Sequence, residues 1–367
     1  MIRILHTADI HLDAPFHFLG EKGADHRRQI RETFTKIVRL AAEERYDLLL
    51  IAGDLFNDNH PARDTQHFVT STLGSLACPV CLLPGNHDYL DRHSVYRKLA
   101  LPQNVHLLAK RPTYLRFPDL DLTVAGNPIP SRHDNTPQLK GIVRDGNTRW
   151  FVALAHGNMQ VPGPFEVTSR PIEPESIAAT GANYVALGDW HSFADYSQGG
   201  VKAYYSGAPE PTAFNQRKTG SVASVNLSDR GINIEPVQVG TIEAKVTEID
   251  VSGLSEPEVI AAIQANAGSN RMLNLSLNGL KSAANLLDLE AIYEATAGDF
   301  YYLNIIDRAQ LSLESIDSNE FPEAFVIGQY VRLLADRIEG AADERECRIA
   351  EESLQLGVAL LQGQKVL

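Results

Sequence analysis

Short apolar runs, each closed by a polar cluster, constrain this chain more than any other feature. Asp47–Ala52 and Pro79–Leu83 are almost wholly apolar, the pattern of strands covered on both faces. Arg27–Arg45, which precedes the first of these runs, places Ile30, Phe34, Ile37, Val38 and Ala41 on one helical face. A second helix is expected over Asp64–Leu76, and Ile2–His6 opens the chain as a strand. A β-α-β-α-β opening of this kind requires parallel strands with helices as crossovers. Five polar clusters sit at or just past the strand ends: Asp9-Ile10-His11, Gly53-Asp54, Gly85-Asn86-His87-Asp88, His156-Gly157 and Gly188-Asp189-Trp190-His191.

Those clusters carry seven ligand-type side chains, Asp9, His11, Asp54, Asn86, His156, Asp189 and His191. Mixed carboxylate, amide and imidazole donors suit Mn, Fe, Zn or Mg rather than a sulfur-loving metal. They are too many for one divalent ion and suit two that share a carboxylate, the inventory of a two-metal site acting on a phosphate ester. In extended chain Asp9 and His11 would project to the same side. Asp54, at the carboxyl end of a parallel strand, would face a shared crevice and bridge the two ions. His87, beside Asn86, is placed to donate a proton to the phosphate or its leaving group, and Asp88 to hold the His87 ring. Each cluster alone is ordinary, since Asp-x-His is usually a surface turn and Gly-Asp is common after a strand. Their order along successive strand ends carries the inference.

Beyond Asn104 short strands predominate, with a polar loop over Pro128–Asn147 as a possible rim. A core domain is expected over residues 1–240, a small α+β domain over 241–311 and a helical tail over 312–367. The tail carries apolar stripes, first Phe325, Val326, Tyr330, Leu333, Leu334 and Ile338, then Leu354, Leu356, Val358, Leu360 and Leu361. The net charge of −13 disfavours tight, sequence-independent coating of nucleic acid. It leaves a nuclease open, because two divalent ions add about four positive charges at the site itself. Three cysteines, a start without a signal-peptide core and no long apolar stretch point to a soluble cytoplasmic protein. Cys78 and Cys81 have C-x-x-C spacing but overlap a strand, where a redox motif would open a helix.

The motifs Asp9-x-His11, Gly53-Asp54, Gly85-Asn86-His87-Asp88, His156 and Gly188-x-x-His191 resemble those of the calcineurin-like metallophosphoesterases, over most of residues 1–240. Thr7–Phe16, Gly53–Phe56 and Tyr205–Glu210 resemble the DNA-repair exonuclease branch, the SbcD-type nuclease subunits. The resemblance implies an α/β/β/α four-layer sandwich with a small α+β capping domain. It implies one metal on Asp9, His11, Asp54 and His191, and a second on Asp54, Asn86, His156 and Asp189, with Mn the expected metal. The superfamily usually has histidine where Asp189 stands, so either a harder, negative donor replaces an imidazole or Asp189 only hydrogen-bonds a metal-bound water and the second metal is weak. The branch carries a histidine soon after the bridging aspartate. Asn57 follows here instead, which leaves Asn57 and His60 as candidate phosphate contacts and Trp190 as a candidate base-stacking residue. DNA as substrate, an SMC-like (SbcC-type) ATPase partner gripped by the helical tail, and a homodimer are further implications. No G-x-x-x-x-G-K-[ST] motif occurs, so an ATP-driven step would need another polypeptide. The alternatives are a phosphomonoesterase or cyclic-nucleotide phosphodiesterase on the same core, and a DNA-end-binding scaffold with an impaired second metal site.

Overall fold

The computed structural model describes residues 1–160, 170–281, 287–311 and 325–361. The chain divides into two compact units, residues 1–245 and 246–367.

The first unit opens β1 (Ile2–Thr7), α1 (Lys22–Glu43), β2 (Leu48–Ala52), α2 (Arg63–Gly74), β3 (Val80–Leu83) and β4 (Val105–Leu107). These four strands are parallel neighbours, as the apolar runs require. Two later strands, β13 (Ser221–Ser228) and β14 (Gly231–Gln238), extend the sheet antiparallel, giving the order β14-β13-β1-β2-β3-β4. Pro236 lies in β14, an edge strand, where the missing N–H is tolerated.

A second sheet forms from β5 (Thr113–Phe117), β6 (Leu122–Gly126), β7 (Trp150–His156), β10 (Tyr184–Gly188), β11 (Ala194–Asp195) and β12 (Lys202–Tyr205), in the order β11-β12-β10-β7-β6-β5. The short pair β8 (Asn158–Met159) and β9 (Pro171–Ile172) and helix α3 (Pro174–Ala179) lie between β7 and β10 in sequence.

The two sheets stack face to face. One buried cluster joins Ile4, Leu48, Leu50 and Leu83 of the first sheet to Val124, Val152, Leu154 and Ala186 of the second. Alternate residues on the first sheet, Leu5, Leu49, Ile51 and Leu82, are equally buried on its other face. The crossovers place α1 and α2 there, with Phe34 of α1 against Phe68 of α2. On the outer face of the second sheet, Phe151, Ala153 and Val185 pack with Leu139, Ile142 and Ile177 of α3. The sandwich is therefore layered helix, sheet, sheet, helix. Glu210, fully enclosed, accepts from Gln29 and Thr33 of α1 and from the backbone N–H groups of Thr241 and Ile242. A carboxylate thus ties the end of this unit to its first helix.

In the second unit β15 (Glu243–Asp250, entering from the first), β16 (Gly268–Asn278) and β18 (Phe300–Asp307) make a sheet, with β16 and β18 parallel. Helices α4 (Glu256–Gln264) and α5 (Leu289–Thr296) bury Val259, Ile263 and Ile292 against Leu273, Leu275 and Leu303. Ser255 and Glu258 form a reciprocal capping box on α4, and Asp288 caps α5. The pair β17 (Leu280–Lys281) and β19 (Gln310–Leu311) is minor. Part of the expected tail stripe packs in a hairpin of α6 (Val326–Glu339) and α7 (Glu344–Leu361), in which Val331 and Leu334 meet Leu354 and Val358 with Tyr330 and Ile338 against them, while Phe325, Val326, Leu333, Leu356, Leu360 and Leu361 stay exposed. Gly357 lets the Tyr330 ring approach, since a Cβ there would lie 2.1 Å from it. Of the expected α+β domain, residues 282–286, and of the expected tail, residues 312–324 and 362–367, lie outside the described residues.

Leu50 is fully buried between the two sheets. Leu50→Ala should cost about 2–5 kcal/mol, read as a lower urea midpoint with an unchanged m-value. A loss below about 1 kcal/mol would contradict sheet-on-sheet packing at this position.

Candidate metal centre

Every predicted ligand lies at or beyond the carboxyl end of a parallel strand: β1 leads to Asp9 and His11, β2 to Asp54, β3 to Asn86, β7 ends in His156, and β10 leads to Asp189 and His191. The loops are laced to one another by backbone hydrogen bonds. Asp9 N–H donates to the Gly53 carbonyl (3.1 Å), and Ile10 and His11 both donate to the Asp54 carbonyl (2.9 and 3.0 Å). Gly157 N–H donates to the Gly188 carbonyl (3.0 Å), and the Tyr205 hydroxyl to the Gly157 carbonyl (2.6 Å). Between the ligands, Ile10, Leu12, Leu55 and Phe56 are buried, which turns the polar neighbours into the pocket.

The expectation of an extended Asp9-x-His11 is corrected. Strand β1 stops at Thr7, and Asp9 and His11 both have left-handed backbone, with φ of 55° and 51°. Asp54 (52°) and Asp189 (91°) share this feature. Such conformations cost an L residue roughly 1–3 kcal/mol each and concentrate at functional sites. The neighbouring glycines do more than permit turns. A Cβ on Gly53 would lie 2.0 Å from His156 Nδ1, and one on Gly85 would lie 2.1 Å from Asp54 Oδ1.

The side chains converge. Three groups each bring their donor atoms within 4.8 Å of one another: Asp9, His11 and His191; His11, Asp54 and His87; and Asp9, Asp54 and His156. Asp54 Oδ2 lies 3.7 Å from His11 Nε2 and 3.4 Å from His156 Nε2, which puts it at the junction. His191 Nε2 lies 3.8 Å from Asp9 Oδ1, its ring held through Nδ1 by the Gln216 amide (2.6 Å). Asn86 Oδ1 lies 2.8 Å and Asp189 Oδ1 3.6 Å from His156 Nε2. Gln216 was not foreseen; no strand-end motif marks it.

The donor set fits divalent cations on two observations. His11 Nε2 is buried without a hydrogen-bond partner, an arrangement that is costly unless something binds it. His156 Nδ1 contacts the Ala52 carbonyl (2.9 Å), so this nitrogen carries a proton. In the neutral ring, Nε2 then offers a lone pair to acceptor oxygens of Asn86, Asp54 and Asp189. A cation resolves that conflict; without one, a proton must.

The titration behaviour agrees. Burial would lower the His156 pKa, but Asp54, then Asp189 and Asp9, carry it up to about 10. Burial drives His11 down to about 3, so its imidazole stays neutral. Burial pushes Asp9 up to about 6. Burial also opposes ionisation of Asp54, yet His156, His11 and His87 hold it well below the usual carboxylate range.

His87 and Asp88 differ from expectation. Asp88 does not hold the His87 ring: its carboxylate accepts from the backbone N–H groups of Gly85 (2.7 Å) and Phe56 (3.1 Å) and from the Tyr96 hydroxyl. It braces the loop, and burial, then Asp54, raise it to about 6. The His87 ring is held by the Asn57 carbonyl through Nδ1 (2.8 Å), and its backbone N–H donates to Asp54 Oδ1 (2.9 Å). Asn57 therefore acts through its backbone. His60 is 87% exposed, beside Asp58 (4.0 Å), and is in none of the converging groups; Trp190 is half-exposed.

Asp189 brings in a residue that motif reading missed. Its carboxylate is bonded by the Asn158 amide and paired with Arg170 at 3.2 Å. Basic residues of α1 have partners near the surface: Arg28 pairs with Asp25, Arg31 with Asp64, Arg27 donates to the Pro15 carbonyl and Lys36 to that of Val239. Cys81 is a buried strand residue whose thiol burial pushes up, as expected of a core cysteine.

The family model for calcineurin-like phosphoesterases matches residues 2–193. The chain belongs to this family. Among curated relatives it is similar to the SbcD subunit of the Bacillus subtilis nuclease SbcCD, 26% identical over 266 residues, covering 62% of this chain and 66% of that one. It is similar to the DNA double-strand break repair protein Mre11 of Aeropyrum pernix, 29% identical, covering 68% of this chain and 64% of that one. The Mre11 of Methanopyrus kandleri is 25% identical, with coverage of 59% and 51%. The chain thus spans between half and two thirds of these relatives' lengths. Family membership implies divalent metals, in keeping with the converging donor groups. No helix among the described residues is long and apolar enough to cross a membrane.

Gly85→Ala drives a methyl group into Asp54 and should abolish Mn-induced thermal stabilisation while the protein still folds, checked by melting with and without MnCl2. A second expectation concerns pH. A carboxyl raised to about 6, as at Asp9, stabilises the cation-free fold fully below about 4, and that contribution is lost as pH rises through 6. A cation must displace the same proton. The Mn-induced rise in Tm should therefore grow between about pH 5 and about pH 7; a rise independent of pH there would remove Asp9 from the ligand set.

Proposed function

We propose that the chain is a two-cation phosphodiesterase that hydrolyses DNA, with Mn as the preferred metal. The observation that carries this is the convergence of side chains from five separate strand ends around Asp54. Asp9, His11 and His191 would hold one cation, Asn86, His156 and Asp189 the other, and Asp54 would be shared. When bound, a divalent pair lowers the pKa of water and neutralises charge on the phosphate. The protein's own groups do the rest. Asp54 is kept ionised by the imidazoles that face it. His87, anchored at Nδ1 by the Asn57 carbonyl, has Nε2 as the atom able to pass a proton to the leaving oxygen. Asp88 and Tyr96 fix the loop that carries His87.

Three features support DNA over a small phosphomonoester: the similarity to SbcD and Mre11 proteins, an α+β module after residue 240, and a helical hairpin. Residues 241–311 would serve as a capping domain. The tail, 312–367, which leaves Leu333, Ile349, Leu356 and Leu360 exposed, would be the surface for an SMC-like ATPase. A homodimer in the cytoplasm belongs to the same reading. Half-exposed, Trp190 is available for stacking on a base.

Purified protein with MnCl2 should cleave both labelled linear DNA and bis-p-nitrophenyl phosphate, and Asp54→Ala should cleave neither. Cleavage of the small ester alone would favour a small-substrate phosphoesterase; cleavage of neither by the unaltered protein would favour a scaffold. His87→Ala should lower turnover by about 10²–10⁴-fold with Mn binding unchanged. Loss of bound Mn in that variant would refute the proton-donor role.

A further inference from the structure

Asp189 meets the pocket with a compensated charge. Its Oδ1 lies 3.6 Å from His156 Nε2, on the side proposed for the second cation. Oδ2 accepts from the Asn158 amide. The Arg170 guanidinium lies over both oxygens, with Nη2 at 3.2 Å from Oδ2 and 3.3 Å from Oδ1, and Nε at 3.4 Å from Oδ2. The pair is largely enclosed, at 12% exposure for the Arg170 side chain and 11% for that of Asp189. Arg170 is also pinned elsewhere. Its Nη1 donates to the Arg132 carbonyl (3.3 Å), its N–H to the Asp134 carbonyl (2.8 Å), and its own carbonyl accepts from Asn158 N–H (2.9 Å). Its backbone is left-handed, at φ 50°. Gly157 makes room for this segment, since a Cβ there would lie 2.2 Å from the Arg170 carbonyl oxygen. The guanidinium is therefore built into place.

We propose that Arg170 is a positioning residue that holds down the affinity of the second cation by neutralising Asp189. This rests on the two-cation reading above. The cation on His156, Asn86 and Asp189 sees a carboxylate already paired with a guanidinium. Asp54, shared with the first cation, then supplies most of the negative charge left to the second. The second cation is consequently weaker than the first and exchangeable, and its hold is completed by the anionic oxygens of a bound phosphate ester. Asn158 also bonds Oδ2, and its backbone N–H is held by the Arg170 carbonyl rather than by the guanidinium, so removing the guanidinium should delete charge more than it loosens geometry. A unit charge within about 6 Å of a divalent ion, at an effective dielectric of about 20, is worth more than tenfold in affinity.

Titration of the full chain with MnCl2 by isothermal calorimetry tests this. The unaltered protein should bind two Mn ions, the second at least about tenfold more weakly than the first. Arg170→Gln should tighten the second constant by about tenfold or more and leave the first within about threefold. Arg170→Lys, which keeps the charge, should keep the second site weak. An unchanged or weakened second site in Arg170→Gln, or equal tightening in Arg170→Lys, overturns the assignment. If Arg170→Gln does not fold, Asp189→Asn decides: it strips the second site of its carboxylate and should abolish that binding step, and a surviving step there overturns the assignment. Asp54→Asn separates this inference from its foundation. If it leaves both Mn constants unchanged, the two-cation reading fails; if it removes them while Arg170→Gln is silent, only the role of Arg170 fails.

Discussion

A cluster of carboxylates sealed away from water has to be neutralised, and the first unit is organised around that demand. Asp9, Asp54 and Asp189 face one another across a pocket in which Asp9 and Asp54 are buried. Buried charges of one sign are costly unless paired or bound to metal. Imidazoles of His11, His156 and His191 ring the carboxylates, and the raised basicity of His156 expresses the positive charge that the pocket needs. Arg170 supplies part of it at one edge. Divalent cations meet the same demand with more charge in less space, which is why the pocket suits them.

The two stacked sheets hold the demand in place. Their strands are apolar along nearly their whole length and leave polar residues only past the carboxyl ends, where parallel strands converge on one crevice. Left-handed backbone at Asp9, His11, Asp54 and Asp189 turns those residues inward within very few positions. The cost of that geometry is offset by the backbone bonds that lace one loop to the next and by the packing of Ile10, Leu12, Leu55 and Phe56 beneath them. Asp88 and Tyr96 do the same under the loop of Asn86 and His87.

Much of this was legible beforehand. The opening strands and helices of the first unit follow from apolar period, although α1 begins at Lys22 rather than Arg27 and α3 was not expected, and the seven ligand-type residues follow from their place after strands. Parts were not. Asp-x-His reads as an extended pair because side-chain alternation is local, whereas the left-handed turns at Asp9 and His11 exist only because the Asp54 loop bonds to them. Asp88 reads as a partner for His87 because it is adjacent; its oxygens were claimed instead by Gly85, Phe56 and Tyr96. Arg170 and Gln216 belong to no motif.

Residue order alone sets the parallel β-α-β-α-β opening and the chemical kind of the site, and the layered sandwich was implied by resemblance. Apolar periodicity is a local property of the chain, and ligand type is a property of single residues. Tertiary structure alone decided which atoms meet. Whether Asp189 faces the pocket as a bare carboxylate or as one paired with Arg170, and whether His87 is steadied by Asp88 or by the Asn57 carbonyl, depend on distances between loops far apart in the chain. Those distances are fixed by the packing of two sheets, and no run of neighbouring residues encodes them.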